Sequence, residues 1–245
     1  MSRILLVTGA SRGIGAATAR LAAQRGYAVC INYRQDAAAA EAVAAGIIDA
    51  GGDAVAIRAD VSEEADVLRL YDAIDARYGR LDALVNNAGI LERQTGIEGI
   101  DADRALRIMK TNVIGPMLCA REAVKRMSRR QGGAIVNVSS AAARTGSPGE
   151  YVDYAASKGA IDTFTRGLAL EVATQGIRVN AVRPGFIHTD MHADGGEPGR
   201  VARMAPSIPM RRGGEPEEVA EAILWLLSDA ASFTTGSCLD VAGGR

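Results

Sequence analysis

The chain has 245 residues, of which 48% are hydrophobic and 23% are charged, and its formal net charge is −1. This length and apolar content suit one large globular domain or two small ones, and the near-neutral charge points to neither nucleic acid nor an anionic membrane as a partner. Three widely spaced cysteines and only two histidines indicate neither a disulfide framework nor a metal site. No apolar run approaches the ~18–20 residues of a transmembrane helix.

The first residues lead directly into a short apolar run, so no signal peptide is expected and the default location is the cytoplasm. Basic residues gather only locally, at Arg126, Arg129 and Arg130, where we expect a solvated helix end. These features predict a soluble protein whose partner is a small molecule.

Short apolar runs alternate with helical patterns along the whole chain, and continuous runs of this kind are typical of strands buried on both faces. The predicted strands are 4–7, 28–33, 54–58, 81–85, 134–138, 177–182 and 237–241. The predicted helices are one ending near residue 25, then about 36–50, 63–78 with Ser62 as its cap, 101–127, 151–174 and 216–227. Such alternation predicts βαβ units and a parallel sheet.

No linker or internal repeat divides the chain, so a single domain over 1–245 is expected. The Gly115-Pro116 pair should kink its long helix or free a carbonyl there. Segment 189–214 is rich in Gly, Pro and Met, and we expect a mobile lid over the substrate, with short helices. Flexible apolar side chains such as Met191, Met204 and Met210 would suit a small or medium substrate, although Met also simply fills gaps.

Four polar or Gly-rich clusters directly follow predicted strands, at 8–15, 86–89, 139–140 and 184–189. The carboxyl ends of strands in an open parallel sheet line one edge, where ligands bind. The four clusters therefore predict a ligand site at that edge.

The first cluster reads TGASRGIG, with Gly9, Gly13 and Gly15 between a strand and a helix. Backbone without side chains lets a pyrophosphate approach the free N–H groups of a helix N-terminus. An ordinary Gly-rich turn is the alternative, but the strand–turn–helix context favours a dinucleotide.

The end of the second predicted strand indicates which dinucleotide is bound. A carboxylate there would hydrogen-bond the ribose 2′-hydroxyl of NAD, but the strand ends Asn32-Tyr33-Arg34 and the next carboxylate is Asp36. Arg34 and Arg12 could both reach a 2′-phosphate, and one charge-assisted hydrogen bond of ~1.5–3 kcal/mol would favour NADP(H) by roughly 10–100-fold. The alternative is that both arginines are simply solvated.

The stretch after the fifth predicted strand carries the candidate chemistry. Tyr154 and Lys158 are four residues apart and share one helix face, and Ser140 follows the strand end. A nearby cation lowers a phenol pKa, which would bring Tyr154 towards the range useful for general acid–base catalysis. The alternative is that Tyr154 and Lys158 form an ordinary surface pair without a catalytic role. Tyr151 is a rival phenol, but Ala155 stands four residues after it.

In this order and spacing, the motifs TGxxxGxG (8–15), NNAG (86–89) and YxxxK (154–158) resemble those of the short-chain dehydrogenase/reductase family, over essentially the whole chain. The resemblance implies one doubly wound domain whose seven parallel strands have the order 3-2-1-4-5-6-7. It also implies hydride exchange between a nicotinamide and a carbonyl or alcohol. Tyr154 is then the acid/base, Lys158 lowers its pKa and holds the nicotinamide ribose, Ser140 positions the substrate oxygen, and Asn112 anchors a water that links Lys158 to solvent.

The expected cofactor is NADP(H) rather than NAD(H). Asp60 and Val61 could contact the adenine, and the resemblance makes Ile187 and Thr189 the pair that holds the carboxamide. The full set of expected cofactor contacts is Gly9, Ser11, Arg12, Gly13, Ile14, Gly15, Tyr33, Arg34, Asp60, Val61, Asn87, Ala88, Gly89, Tyr154, Lys158, Pro184, Gly185, Ile187 and Thr189.

The substrate stays open among several classes. The family's 3-oxoacyl-thioester reductases are the nearest general match, with sugar and polyol dehydrogenases equally open. Some of those reductases carry a basic residue where this chain has Leu170, which weakens a carrier-protein substrate, although Arg129 and Arg130 remain.

Two other functions compete with a carbonyl reductase. A cofactor sensor on the same fold would be expected to lose Tyr, Lys or Ser, which this chain keeps. An epimerase or dehydratase would need more than the about 60 residues that follow Pro184. The family commonly forms homotetramers, so a homotetramer or homodimer is expected, through the helices after the fourth and fifth strands and the C-terminal strand.

Overall fold

A computed structural model of the chain describes residues 2–128 and 132–245. Its seven strands form one parallel sheet in the order β3-β2-β1-β4-β5-β6-β7, as the sequence predicts. The strands are β1 Arg3–Val7, β2 Tyr27–Tyr33, β3 Asp53–Arg58, β4 Ala83–Asn86, β5 Gly133–Val138, β6 Ile177–Pro184 and β7 Cys238–Val241. The fold is therefore the doubly wound α/β arrangement.

Helices cover both faces of this sheet. They are α1 Gly13–Gln24, α2 Ala37–Asp49, α3 Glu64–Tyr78, α4 Ala102–Met109, α5 Gly115–Met127, α6 Ala142–Thr145, α7 Val152–Val172, α8 Met191–Asp194, α9 Arg200–Met204 and α10 Pro216–Leu227. None of the described helices is long and apolar enough to cross a membrane.

The alternation of side chains along each strand creates two separate cores. In β1, Leu5 and Val7 pack on the side of α1, α2 and α10, whereas Ile4 and Leu6 pack on the side of α3, α5 and α7. Because successive strand residues point to opposite faces, one apolar run supplies both cores. Each β1 side chain from Ile4 to Val7 is at most 5% exposed.

The predicted long helix over 101–127 is interrupted. It consists of α4, a π-helical turn over Lys110–Ile114, and α5, which begins at Gly115-Pro116. Pro116 has no N–H to continue the preceding ladder, so the regular helix restarts there. Single π-helical turns inside helices are frequent at functional sites.

Two local predictions are wrong. Ser62 does not cap α3; its hydroxyl donates to Asp60 Oδ1 (2.7 Å), and Glu63 occupies the N-cap position. Arg126 is not solvated, because it pairs with Asp75 (2.6 Å) and lies over the Tyr71 ring. Arg129 and Arg130 lie outside the described residues.

Candidate active site

The turns after β1 and β4 are joined by the hydrogen bonds of two side chains. The Thr8 hydroxyl accepts from the backbone N–H groups of Asn87 and Ala88 (3.0 Å each). The Asn87 side-chain amide donates to the carbonyls of Thr8 and Gly9 (2.9 Å each). Gly9 has a φ of +60°, and a Cβ there would lie 2.9 Å from Ala88 Cα. Only glycine fits this position without displacing backbone.

These turns form one wall of a cleft of about 590 Å³ at the carboxyl edge of the sheet. The first turn of α1 carries no acidic residue, so a phosphate at this helix end would meet N–H groups and no carboxylate from that turn. Most of the predicted cofactor contacts line the cleft: Gly9, Ser11, Arg12, Gly13, Ile14, Tyr33, Arg34, Asp60, Val61, Asn87, Ala88, Gly89 and Thr189. A dinucleotide therefore fits the residues present.

The remaining predicted contacts lie elsewhere. Five of them line a second cavity of about 330 Å³ that shares Ile14, Asn87 and Thr189 with the cleft. Those five are Tyr154, Lys158, Pro184, Gly185 and Ile187. Gly15 lines neither space, since it packs behind the turn, where a Cβ would lie 2.6 Å from the Gly9 carbonyl oxygen.

The arginines predicted to reach a 2′-phosphate both have acidic neighbours. Arg12 pairs with Asp194 and lies 3.7 Å from Asp190, whereas Arg34 lies 3.8 Å from Asp60. Sequence reasoning missed a third basic group, Arg58, whose Nε donates to the Arg34 carbonyl (3.2 Å). Its signal is the strand register, which sets Arg58 at the end of β3 opposite Tyr33 at the end of β2.

The second cavity holds the candidate catalytic group. Tyr154 is half-buried and lines the cavity, and the Lys158 ammonium is 5.5 Å from the centre of its ring. Lys158 Nζ donates to the Val138 carbonyl (2.8 Å), which holds it against the end of β5. The Ser140 hydroxyl accepts from the backbone N–H of Ala142 (3.1 Å). The structure thus brings the three predicted side chains to one cavity.

Burial sets the electrostatics of this group. It raises the pKa of Tyr154 to about 12, against a lowering effect of the hydrogen bond to Ser140. Burial also lowers the pKa of Lys158 to about 8, opposed by the charge of Asp162. In the protein alone the effect of burial is the larger one, so the expected net lowering of the Tyr154 pKa does not occur, and the contribution of Lys158 to this pKa stays a prediction. At neutral pH the phenol keeps its proton.

Asn112 is fully buried in the π-helical turn. Its Oδ1 accepts from the Ile90 N–H (2.8 Å), and its Nδ2 donates to the Ile90 carbonyl (3.0 Å) and the Ser157 hydroxyl (3.1 Å). A Cβ on Gly89 would lie 3.4 Å from Asn112 Oδ1 and 3.5 Å from Lys158 Nζ. The missing side chain of Gly89 therefore leaves space between these two groups.

A buried ion pair next to Tyr154 was not found from the sequence. Arg104 Nε donates to Asp153 Oδ2 (2.6 Å), and both side chains are less than 10% exposed. Arg104 also donates to the Arg93 carbonyl (2.7 Å). The pair ties α4 to the first turn of α7, immediately before the tyrosine. Its only sequence signal is an acidic residue beside Tyr154.

Segment 189–214 contains α8 and α9 and closes over the second cavity. The Tyr151 hydroxyl donates to the Gly195 carbonyl (3.2 Å), and Gln94 donates to Glu197 (2.7 Å). Met191 and Met204 line the cavity as expected, but Met210 lines a different one, next to β7. Tyr151 is thus engaged by the segment, whereas Tyr154 lies with Ser140.

Comparison with known proteins agrees with this geometry. A family model described as Enoyl-(Acyl carrier protein) reductase matches residues 9–245. The chain is also 62% identical, over 99% of each chain, to an uncharacterized oxidoreductase of Escherichia coli strain K12 named YgfF. The chain belongs to the short-chain dehydrogenase/reductase family.

Two further members have more specific names. This short-chain dehydrogenase/reductase is 45% identical to a cis-4-hydroxycyclohexanecarboxylate dehydrogenase of Sinomonas cyclohexanicum, over 99% of this chain and 96% of that one. It matches the crystal structure of a 3-ketoacyl-(acyl-carrier-protein) reductase from Brucella melitensis complexed with NADH, with a TM-score of 0.92 and 36% identity over 99% and 98% of the two chains. The protein is thus an oxidoreductase of a family that binds a nicotinamide cofactor.

Proposed function

We propose that this chain is an NADP(H)-dependent oxidoreductase that interconverts a carbonyl and an alcohol on a small to medium substrate, with Tyr154 as general acid/base. The observation that carries the proposal is the half-buried Tyr154–Ser140 pair, which lines a cavity that shares residues with the dinucleotide cleft. We also propose that the whole chain acts as one domain, with segment 189–214 as a mobile lid.

The nicotinamide, when bound, supplies the hydride for the carbonyl carbon or accepts it from the alcohol carbon. In reduction the Tyr154 phenol would donate its proton to the carbonyl oxygen, so that the C=O double bond becomes a C–O single bond with one new C–H and one new O–H bond. With a pKa raised to about 12, the phenol holds this proton at neutral pH but is a weak acid, so the transfer depends on the positive charge of Lys158 beside the ring. Ser140 positions the same oxygen by hydrogen bonding.

The phenolate left by this step needs a proton and a nearby positive charge. Lys158, which is fixed on the Val138 carbonyl, provides the charge close to the ring. We assign reprotonation to the Lys158 ammonium and a positioning role to Asn112, which lies across the space beside Gly89. The pKa of Lys158, lowered to about 8, makes proton release from its ammonium easy near neutral pH.

The proposed preference for NADP(H) depends on basic side chains at the ends of β2 and β3 and in the turn after β1. Arg12, Arg34 and the neighbouring Arg58 supply these charges. A 2′-phosphate would compete with Asp194 for Arg12 and with Asp60 for Arg34. This competition reduces the affinity gained from the phosphate. We expect Arg34→Ala to reduce the NADPH-over-NADH preference by roughly tenfold, as one charge-assisted hydrogen bond would. Fluorescence titration with both nucleotides measures the two affinities. An unchanged ratio of NADPH to NADH affinity would mean that Arg34 does not determine the preference.

The similar proteins suggest two substrate classes, a hydroxylated cyclohexane carboxylate and a 3-ketoacyl thioester. Leu170, at the position discussed for carrier recognition, is 76% exposed. The cavity of about 330 Å³ accommodates a small ring. We propose a small, unattached carbonyl compound as the substrate.

We further propose a homotetramer, or a homodimer, in the cytoplasm. Large apolar side chains are exposed on α4, the π-helical turn, α5, α7, the chain before β7 and β7 itself. They are Leu106, Met109, Ile114, Met117, Leu170, Phe233 and Leu239. Burial of such side chains between subunits would stabilise an assembly. Sedimentation velocity showing only monomer would contradict it.

The experiment that tests the proposed function is NADPH and NADH oxidation against a carbonyl panel. The panel contains ketones, 3-oxoacyl thioesters, aldehydes, quinones, sugar lactones and 4-oxocyclohexanecarboxylate, with Tyr154→Phe as the control protein. Turnover that requires Tyr154 and prefers NADPH supports the proposal. Turnover that survives in Tyr154→Phe would overturn the assignment of the acid.

A further inference from the structure

The substrate cavity carries a cluster of arginines on the wall formed by segment 189–214 and the C-terminus. Arg200, Arg203 and Arg245 all line it, together with the carboxylate of Glu150. Catalysis of a carbonyl reduction needs only the Tyr154 group, so these charges have no part in the chemistry described above. Their partners indicate what else the cavity binds.

Two of the three arginines are neutralised within the protein. Arg200, which is 5% exposed, pairs with Glu150 and lies 3.3 Å from Glu197. Arg203 pairs with Glu197 and lies 3.5 Å from Glu150. Two guanidinium groups thus face two carboxylates, and this part of the wall has no net charge.

Arg245 has a different environment. Its guanidinium lies 4.9 Å from the centre of the Phe186 ring, and its side chain donates one long hydrogen bond, to the Ser207 hydroxyl (3.4 Å). No carboxylate of a residue in 2–128 or 132–245 forms an ion pair with it. Arg245 is exposed, so its guanidinium has one weak side-chain acceptor among the described residues and its other N–H donors are open to solvent or to a ligand.

The chain fixes Arg245 at this position. Gly244 has a φ of +91°, and the Gly243 carbonyl accepts from the Met210 N–H (3.1 Å), so the chain turns back towards the cavity after β7. Phe186, on which the guanidinium stacks, follows β6 in the segment expected to hold the nicotinamide. The cation consequently lies between the cavity that contains Tyr154 and the neighbouring cavity beside β7, and it lines both.

The other titratable groups of the cavity do not supply the missing anion. Burial lowers the pKa of His192, so this imidazole is neutral at pH 7, with its Nε2 on the Ile187 carbonyl (3.1 Å). Lys158 adds a second positive charge below about pH 8. The cavity is therefore electropositive and is complementary to an anion.

We propose, on the basis of the proposed function above, that the substrate is a carbonyl compound bearing a free carboxylate, and that Arg245 binds this carboxylate while the carbonyl faces Tyr154. A planar guanidinium and a carboxylate match in a bidentate pair. Apolar cavity residues such as Ile14, Leu91 and Met204 would contact the body of the molecule. A 3-ketoacyl thioester has this carboxyl group masked and would leave Arg245 unpaired.

The first test measures binding without turnover. Cyclohexanecarboxylate and the neutral cyclohexanecarboxamide are titrated by calorimetry into the protein saturated with NADPH. We expect the carboxylate to bind at least tenfold more tightly than the amide. Arg245→Met should remove this difference, and Arg245→Lys should retain part of it. The matched control is Arg25→Met, an exposed arginine paired with Glu221 at the end of α1, which should keep the full difference.

The second test uses turnover of 4-oxocyclohexanecarboxylate and its methyl ester. Arg245→Met should raise KM for the acid at least tenfold, leave KM for the ester unchanged, and change kcat little for either. Equal binding of the two calorimetric probes, no binding of the carboxylate, or an unchanged preference in Arg245→Met would each overturn the carboxylate site. Turnover without a preference for acids would leave the proposed function intact, whereas carboxylate binding without turnover of any carbonyl would overturn that function and keep the site.

Discussion

The two halves of the sheet edge are built in different ways. On the cofactor side, the turns after β1 and β4 are held by backbone groups and by the short side chains of Thr8 and Asn87. On the substrate side, segment 189–214 is held mainly by long side chains in ion pairs, such as Arg200 with Glu150. Backbone contacts constrain residue type strictly, whereas ion pairs between loops can be exchanged with little change in fold. This difference explains why the cofactor side can be recognised from a sequence motif and the substrate side cannot.

The largest effect should come from Tyr154, on the substrate side. Removal of the hydroxyl in Tyr154→Phe takes away the proton donor, and we expect roughly 10²–10⁴-fold slower turnover with NADPH binding retained. Tyr151→Phe is the matched control, because its hydroxyl donates to the Gly195 carbonyl of segment 189–214 and lies outside the Tyr154–Ser140 pair, and it should change kcat by less than tenfold. Steady-state kinetics of both variants decide the point, and equal losses would contradict it.

A second test breaks the buried ion pair between Arg104 and Asp153, the residue before Tyr154. Arg104→Met leaves the Asp153 carboxylate buried without its partner, and we expect the free energy of unfolding to fall by about 3–5 kcal/mol. Arg107→Met, which breaks an exposed pair with Glu92, should cost no more than about 1 kcal/mol. Urea unfolding measures both. Similar losses would mean that burial of the first pair has no energetic consequence.

A third test concerns the backbone contact of the cofactor side. Gly9→Ala places a Cβ 2.9 Å from Ala88 Cα at a positive φ, whereas Gly26→Ala has a positive φ but no atom within 4 Å. The second variant should lose only the ~1–2 kcal/mol of left-handed strain. The first should lose roughly 1–3 kcal/mol more and bind NADPH more weakly. Urea unfolding and NADPH titration test this, and equal behaviour of the two alanines would contradict a tight turn.

The smallest effect is the pH dependence contributed by Lys158. Its pKa is about 8 in the folded chain and 10.5 when unperturbed, so the unfolded state binds more protons between these values. Stability should therefore rise with pH across about pH 8–10, relative to Lys158→Met, by ~1–3 kcal/mol. Denaturant titrations of both proteins at each pH give the difference. A difference that stays constant with pH would contradict the lowered pKa.

The fold could be predicted, and the candidate catalytic group could be located in one cavity, because both depend on local patterns. Apolar runs such as Leu5 to Val7 predict buried strands, and the spacing of Tyr154 and Lys158 follows from the helix period. The arrangement of distant partners could not be predicted. Arg12 with Asp194 and Arg104 with Asp153 join residues far apart in the chain, and no local pattern encodes such pairs.

Errors at the level of side chains have a similar origin. The sequence predicts a cation beside Tyr154, but the effect on its pKa depends on burial, which raises it instead. Arg126 appeared to be solvated because neighbouring residues are basic, yet α3 supplies Asp75 to it. Arg58 became visible only through the register of β2 and β3.

The π-helical turn makes the position of Asn112 depend on residue number as well as residue type. Such a turn contains one residue more than a regular turn. Deletion of one residue from Lys110–Ile114 would therefore convert this turn into regular α-helix, with α4 and α5 left near their present relative orientation. Asn112 would leave its double hydrogen bond with Ile90. In this part of the chain, a shortening that preserves helical structure would be more damaging than many substitutions.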